Sequence, residues 1–153
     1  MYRRRIIPDG FTPPARADGP GFHLRMLTIH DAVKDFDAVM AAAPRLRGAM
    51  EPGATWPDGL TLEENLIDLA WHQREFTLGH SFAYTVMNDD ESRCLGCCYL
   101  NPSDWAGHDA VAFYWAREVA MEPALSRTFR ALVAQFPWAS VVFPGRDQPW
   151  RQD

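Results

Sequence analysis

The chain has 153 residues, 47% of them apolar and 23% charged, with a formal net charge of −5. That length suits one domain whose core needs no disulfide staple, and the negative balance argues against a broad nucleic-acid face. No run of about 18 apolar residues is present, so no membrane span is expected, and Ile6-Ile7-Pro8-Asp9-Gly10 is not the apolar stretch of a secretory leader.

Residues 1–21 hold four Pro and three Gly with little periodicity, and read as an extended arm before a domain over 22–153. Arg3-Arg4-Arg5 in that arm reads as a solvated basic tail. Phe22 to Leu27 alternates and predicts a strand. Thr28 and Asp31 carry the residue types of a helix start, with Asp31 in the positive first turn. Ala32, Val33, Phe36, Val39 and Met40 then recur at helical spacing, and Pro44 is expected to end or kink that helix. Residues 44–60 are rich in Pro and Gly and form a loop holding Trp56. Thr61-Leu62-Glu63-Glu64 is a capping box, and Leu62, Leu66, Leu69, Ala70 and Phe76 give the second helix its apolar side. Gly79 is a natural stop.

Ser81 to Met87 and Arg93 to Leu100 predict a hairpin across the polar turn Asn88-Asp89-Asp90-Glu91-Ser92. Ala110 to Ala116 predicts another strand. A third helix opens at Pro123 and buries Leu125, Phe129, Leu132, Val133 and Phe136. Ala139 to Phe143 is the last strand, stopped by Pro144-Gly145. This order implies an α/β (α+β) domain with a mixed central sheet flanked by helices. The expected pairing is parallel for 110–116 and 139–143, with divergence at one end.

The three cysteines, at 94, 97 and 98, are an odd set that fits a reducing, cytoplasmic compartment. Alternation along a strand places 94 and 97 on opposite faces, so they cannot converge on one ion without a bulge, and with no His pair to complete a ligand set no zinc site is expected there. His72 and Glu75 lie three apart on a helix, where Glu75 could orient an imidazole. His80 and His108 fall at a junction and in a loop. Trp115 alternates with Val111 and Phe113 and reads as core. Trp56 and Trp105 sit in loops, where large aromatics suggest a binding cleft. The six Trp and nine Phe can also build a homodimer surface.

The element order resembles that of the GNAT acetyltransferase superfamily. Leu24-Arg25-Met26-Leu27-Thr28-Ile29-His30-Asp31 resembles its opening strand and helix start, and Gly96 in Cys94-Leu95-Gly96-Cys97-Cys98-Tyr99 resembles the glycine of its third strand. The resemblance spans about residues 22–146. It implies an acetyl-CoA-dependent N-acyltransferase acting on a small amine, with acetyl-CoA as co-substrate. The pantetheine arm would lie along the fourth strand, here Ala110 to Ala116, and the diphosphate at the start of the next helix. The implied cofactor contacts are Phe113, Trp115, Arg117, Ser126 and Arg127. Glu118 is the candidate base that deprotonates the amine, and Tyr114 the second candidate catalytic group.

The sequence departs from the family at the cofactor loop. The family's loop carries Gln or Arg, two residues, then Gly-x-Gly or Gly-x-Ala. This chain has Arg117 through Arg127 without a glycine, with Pro123 lacking an N–H and Glu122 placing a negative charge where phosphate would sit. Arg117, Ser126, Arg127 and Arg130 are the side chains available to compensate. No Tyr follows Tyr114, so the family's late thiolate-protonating Tyr has no counterpart. The alternative function is therefore a GNAT-like module without catalysis that binds a small ligand or builds an assembly.

Overall fold

Thr61 Oγ1 accepts from the Glu64 N–H at 3.2 Å, and Glu64 accepts from the Thr61 N–H at 2.9 Å. This predicted capping box starts helix α2, Leu62–Leu78, and Gly79 ends it with φ +75°, a conformation that favours glycine. Helix α1 is Ala32–Leu46 and helix α3 is Glu122–Val133. Pro44 neither ends nor bounds α1, which runs two residues past it. Asp31 accepts from the Thr28 N–H at 2.9 Å, so it is Asp31 that caps the backbone here.

The computed structural model describes residues 4–151. Six strands form one sheet in chain order: β1 (Arg16–Gly19), β2 (Phe22–Met26), β3 (Phe82–Asn88), β4 (Cys94–Pro102), β5 (Ala110–Ala116) and β6 (Val141–Val142). The first five pair antiparallel and β5–β6 is parallel, so the sheet is mixed, as the element order predicts. No described helix is long and apolar enough to cross a membrane.

Strand β1 falls inside residues 1–21, expected to be an extended, partly ordered arm. It pairs with β2, and Tyr84 Oη donates to the Pro14 carbonyl at 2.8 Å. Ile7 is buried against the same core. Of the basic cluster in this segment, Arg3 lies outside the described residues, as do the last two residues of the 22–153 span.

Alternation along the strands gives the sheet two apolar faces. One packs Tyr84, Cys98 and Tyr114 against Leu125, Phe129 and Leu132 of α3. The other packs Met87, Cys97 and Trp115 against Val39, Ala42 and Leu46 of α1 and Leu69 of α2. Burying each such Leu or Phe contributes about 1.5–3 kcal/mol.

One irregularity overturns a sequence expectation. Val86 pairs with Gly96 but Met87 pairs with Cys94, which leaves Leu95 as an extra residue in β4. The bulge turns Cys94 and Cys97 to the same face, that of α1 and α2, rather than to opposite faces. Burial, reinforced by the charge of Asp35, pushes the Cys94 thiol up to about 12.

Strand β6 is shorter than the 139–143 predicted. Asp109 Oδ2 accepts from the N–H groups of Ala139 and Ser140 at 2.8 and 3.1 Å, which ties that stretch to a side chain instead of a strand. β6 therefore pairs only with Ala110 and Val111, and beyond them β5 continues without it.

Candidate functional site

Where β5 runs on alone it exposes two surfaces to chemistry. Its side chains alternate, so Phe113 and Trp115 point to the α1/α2 side and Tyr114 to the α3 side. On the α1/α2 side lies a cavity of about 1030 Å³. On the edge where β6 has ended lies a much smaller cleft of about 50 Å³.

The larger cavity is acidic and aromatic. Its polar wall holds Asp35, Asn65, Asp68 and His72, and its aromatic wall includes Trp56, Tyr99, Trp105, Phe113 and Trp150. The loop tryptophans Trp56 and Trp105 thus come together from segments that are far apart in the chain. Trp150 stacks on Phe113 with planes 15° apart, and Arg151 lies over Trp105 and pairs with Asp104 at 2.9 Å.

Asp35 is buried, and its carboxylate accepts from Asn65 Nδ2 at 2.9 Å. Burial pushes its pKa up to about 6, with the nearby charges of Asp31 and Asp68 adding to the effect and the Asn65 bond opposing it. Burial also raises Asp68, helped by Glu64. His72 moves the other way: burial holds it down to about 4, so its imidazole is neutral at pH 7. It packs edge-on to Trp71 and beside Tyr99. Glu75 does not orient it. That carboxylate is fully buried and instead binds Arg74 at 2.6 Å and His80 Nδ1 at 2.8 Å. His108 Nδ1 meets Ser140 Oγ at 2.8 Å.

The small cleft is lined by Tyr114, Trp115, Glu122, Arg45 and Arg146. Arg146 Nη2 donates to the Tyr114 carbonyl at 3.2 Å, and its guanidinium sits 4.1 Å from the Tyr114 ring centroid. Arg45 donates to the carbonyls of Ala116 and Arg117 at 2.9 and 2.6 Å. Sequence patterning missed both arginines, because an isolated Arg in a helix end or a turn carries no periodic signal.

The structure distributes the sequence-predicted residues between these regions. Phe113 lines both cavities, while Trp115 and Tyr114 line the small cleft. Arg117 donates to Asp37 at 2.7 Å, and Ser126 accepts from Arg130 at 3.0 Å. Glu118 is exposed, lines neither cavity, and precedes a short 3-10 turn, Val119–Met121, leading into α3. Arg127 is exposed on α3. In that turn the N–H groups of Met121 and Glu122 donate to the carbonyls of Glu118 and Val119. Arg130, the further phosphate candidate, is engaged by Asp147 through two bonds of 2.7 and 2.8 Å.

No family model matches the sequence, and no curated protein matches it. Solved structures do match the fold. The ribosomal-protein-S5-alanine acetyltransferase from Vibrio fischeri superposes with a TM-score of 0.64 at 15% identity, over 79% of this chain and 66% of that one. RimL, the ribosomal L7/L12 α-N-protein acetyltransferase in complex with coenzyme A, gives 0.62 at 17% identity, over 80% and 65%. The microcin C7 self-immunity acetyltransferase MccE, in complex with acetyl-CoA and AMP, gives 0.61 at 10%, over 76% and 63%. The chain spans about two thirds of the length of these structures. With its parallel β5–β6 pair parting after two residues, and helices on both sheet faces, this chain has the fold of the GNAT acetyltransferases.

Proposed function

We propose that the protein transfers an acyl group from acetyl-CoA to an amine held in the large cavity. The observation that carries this reading is the cavity of about 1030 Å³ against β5, whose acidic and aromatic lining suits a cationic amine with an apolar body. Acetyl-CoA enters as co-substrate along β5. The amine nitrogen attacks the thioester carbonyl carbon, the C–S bond breaks, and the amine proton must pass to a base. His72 lines the cavity and is our candidate acceptor for that proton, as a weak base that must pass the proton on to water, because burial holds its pKa down to about 4. Tyr114, at the β5 edge cleft, is the candidate donor to the departing thiolate. Glu118, outside both cavities, would act only through a bound acceptor or water.

The structural neighbours are named for ribosomal-protein acceptors, so the terminal amine of a polypeptide is the competing acceptor class. We favour a small amine, because the buried carboxylate of Asp35 is part of the cavity lining, which suits a compact cationic group. Acetyl-CoA incubated with small amines and with N-terminal peptides, followed by mass spectrometry, tests this. Acetylation of peptides alone would replace the small-amine reading.

A second reading, a binding module without catalysis, draws on Arg45 and Arg146. Both occupy β5 carbonyls where a pantetheine arm would have to pair. It predicts that acetyl-CoA neither raises the melting temperature nor is consumed.

A further inference from the structure

Helix α2 carries apolar side chains on both of its sides. The inner side packs Leu69 and Phe76 on the two faces of the core. On the outer side Glu63, Ile67, Ala70 and Arg74 follow one another at helical spacing, and all four are exposed. Leu62 and Leu66 are exposed beside this stripe, and Ile67 within it is 60% exposed. Helix α1 supplies a margin. Asn65 Nδ2 donates to the Ala32 carbonyl at 3.3 Å and the Ile29 N–H to Gln73 Oε1 at 2.9 Å, which ties the start of α1 along α2. Ile29 and the 68% exposed Val33 stand on that margin. Of the seven large apolar side chains exposed among the described residues, five therefore share one face. A helix that is apolar all round is one that is covered on both sides.

We propose that this face is the contact between two copies of the chain, with their α2 helices packed antiparallel across a two-fold axis between Ile67 and Ala70. The contact is independent of the acyl-transfer reading. Its charges select the partner. Glu63 stands four residues before Ile67, and Arg74 four residues after Ala70. Antiparallel two-fold pairing sets each Glu63 beside the Arg74 of the other copy, and each Ile67 on the other copy's Ala70. Parallel pairing would set like charges on each other at both ends. Arg74 gives Nη1 to the buried Glu75 at 2.6 Å yet keeps 52% of its side chain exposed, so its remaining N–H donors can meet a second carboxylate. The small side chain of Ala70 lets the two helix axes approach to about 8 Å. An anionic lipid surface does not suit the face, because Glu63, Glu64 and Asp68 are exposed beside it.

The inner side of the same helix lends Asn65, Asp68 and His72 to the large cavity. Pairing two copies through α2 thus braces that cavity wall from behind.

The test is sedimentation equilibrium of wild type, Ile67→Glu and Glu63→Lys, with melting curves to establish that each is folded. Ile67 packs on solvent in the single chain, so its variant keeps the monomer intact. Wild type should dimerise, and each substitution should weaken the dimer about tenfold or more. A wild type that stays monomeric overturns the proposal and leaves the face to a different protein. A dimer indifferent to both substitutions overturns it too, because another surface then holds the copies together. Register is read by oxidising cysteine variants, since the native cysteines are buried. A mixture of Ile67→Cys and Ala70→Cys chains should form a disulfide between unlike copies. Leu78→Cys chains should stay unlinked, because antiparallel packing holds the two positions roughly 28 Å apart along the axis. Linkage at position 78, or none between 67 and 70, overturns the antiparallel contact.

Discussion

Asn65 Nδ2 donates to the Asp35 carboxylate at 2.9 Å and to the Ala32 carbonyl at 3.3 Å, so one amide joins α2 to α1 at the wall of the large cavity. The arrangement holds a carboxylate out of water with no cation bonded to it among the described residues. Its energetic cost is the first prediction.

Asp35 has its pKa raised by burial from 3.8 to about 6. The folded state therefore binds more protons than the unfolded state between those values, and Asp35 lowers stability as pH rises from about 4 through about 6. Asp35→Asn keeps an oxygen for Asn65 and removes the charge. It should raise stability at pH 7.5 by about 1–3 kcal/mol and flatten the decline above pH 4. Melting temperatures across pH 4–8 would refute this if both proteins showed the same slope.

His72 has the opposite sign. Burial lowers it from 6.5 to about 4, so its contribution to stability is complete above pH 6.5 and is lost as pH falls toward 4. His72→Gln should remove that acid sensitivity, which a proton-NMR titration of the imidazole would match in wild type. If His72 takes the amine proton, the same variant should reduce kcat by about a hundredfold or more with little change in the CoA Kd. Unchanged turnover would exclude it as the base.

Trp115 Nε1 donates to Tyr99 Oη at 3.1 Å, and Trp115 is 2% exposed. Tyr99→Phe leaves that indole N–H without this acceptor beneath the cavity. The expected loss is about 1–3 kcal/mol, read from the urea midpoint. A change below about 0.5 kcal/mol would mean that water or another acceptor takes over.

Gly96 faces the partner strand so closely that an added Cβ would stand 2.2 Å from the Trp115 carbonyl oxygen and 3.1 Å from Ala116 Cα. Both are backbone atoms of β5 and cannot rotate aside. Gly96→Ala should therefore pry β4 from β5 and cost about 3 kcal/mol or more. Retention of wild-type melting would show that the bulge can shift to absorb a methyl group.

Local chemistry written in the chain was enough for most elements. The capping box at Thr61 and Glu64, the stop at Gly79, the polar turn at 88–92 and the apolar stripe of α3 each act within a few residues. Their outcome depends on hydrogen bonds and burial patterns that sequence spacing already defines. The element order followed, and with it the mixed sheet and the aromatic lining supplied by Trp56 and Trp105. Three features were settled only by tertiary structure. The bulge at Leu95 reversed the expected facing of Cys94 and Cys97, because register depends on the partner strand rather than on alternation alone. β1 emerged from a segment with little periodicity because β2 offered it an open edge. Arg45, Glu122 and Arg146 came together because three elements end at one corner of the sheet, and no pattern along the chain records which charges will share a corner.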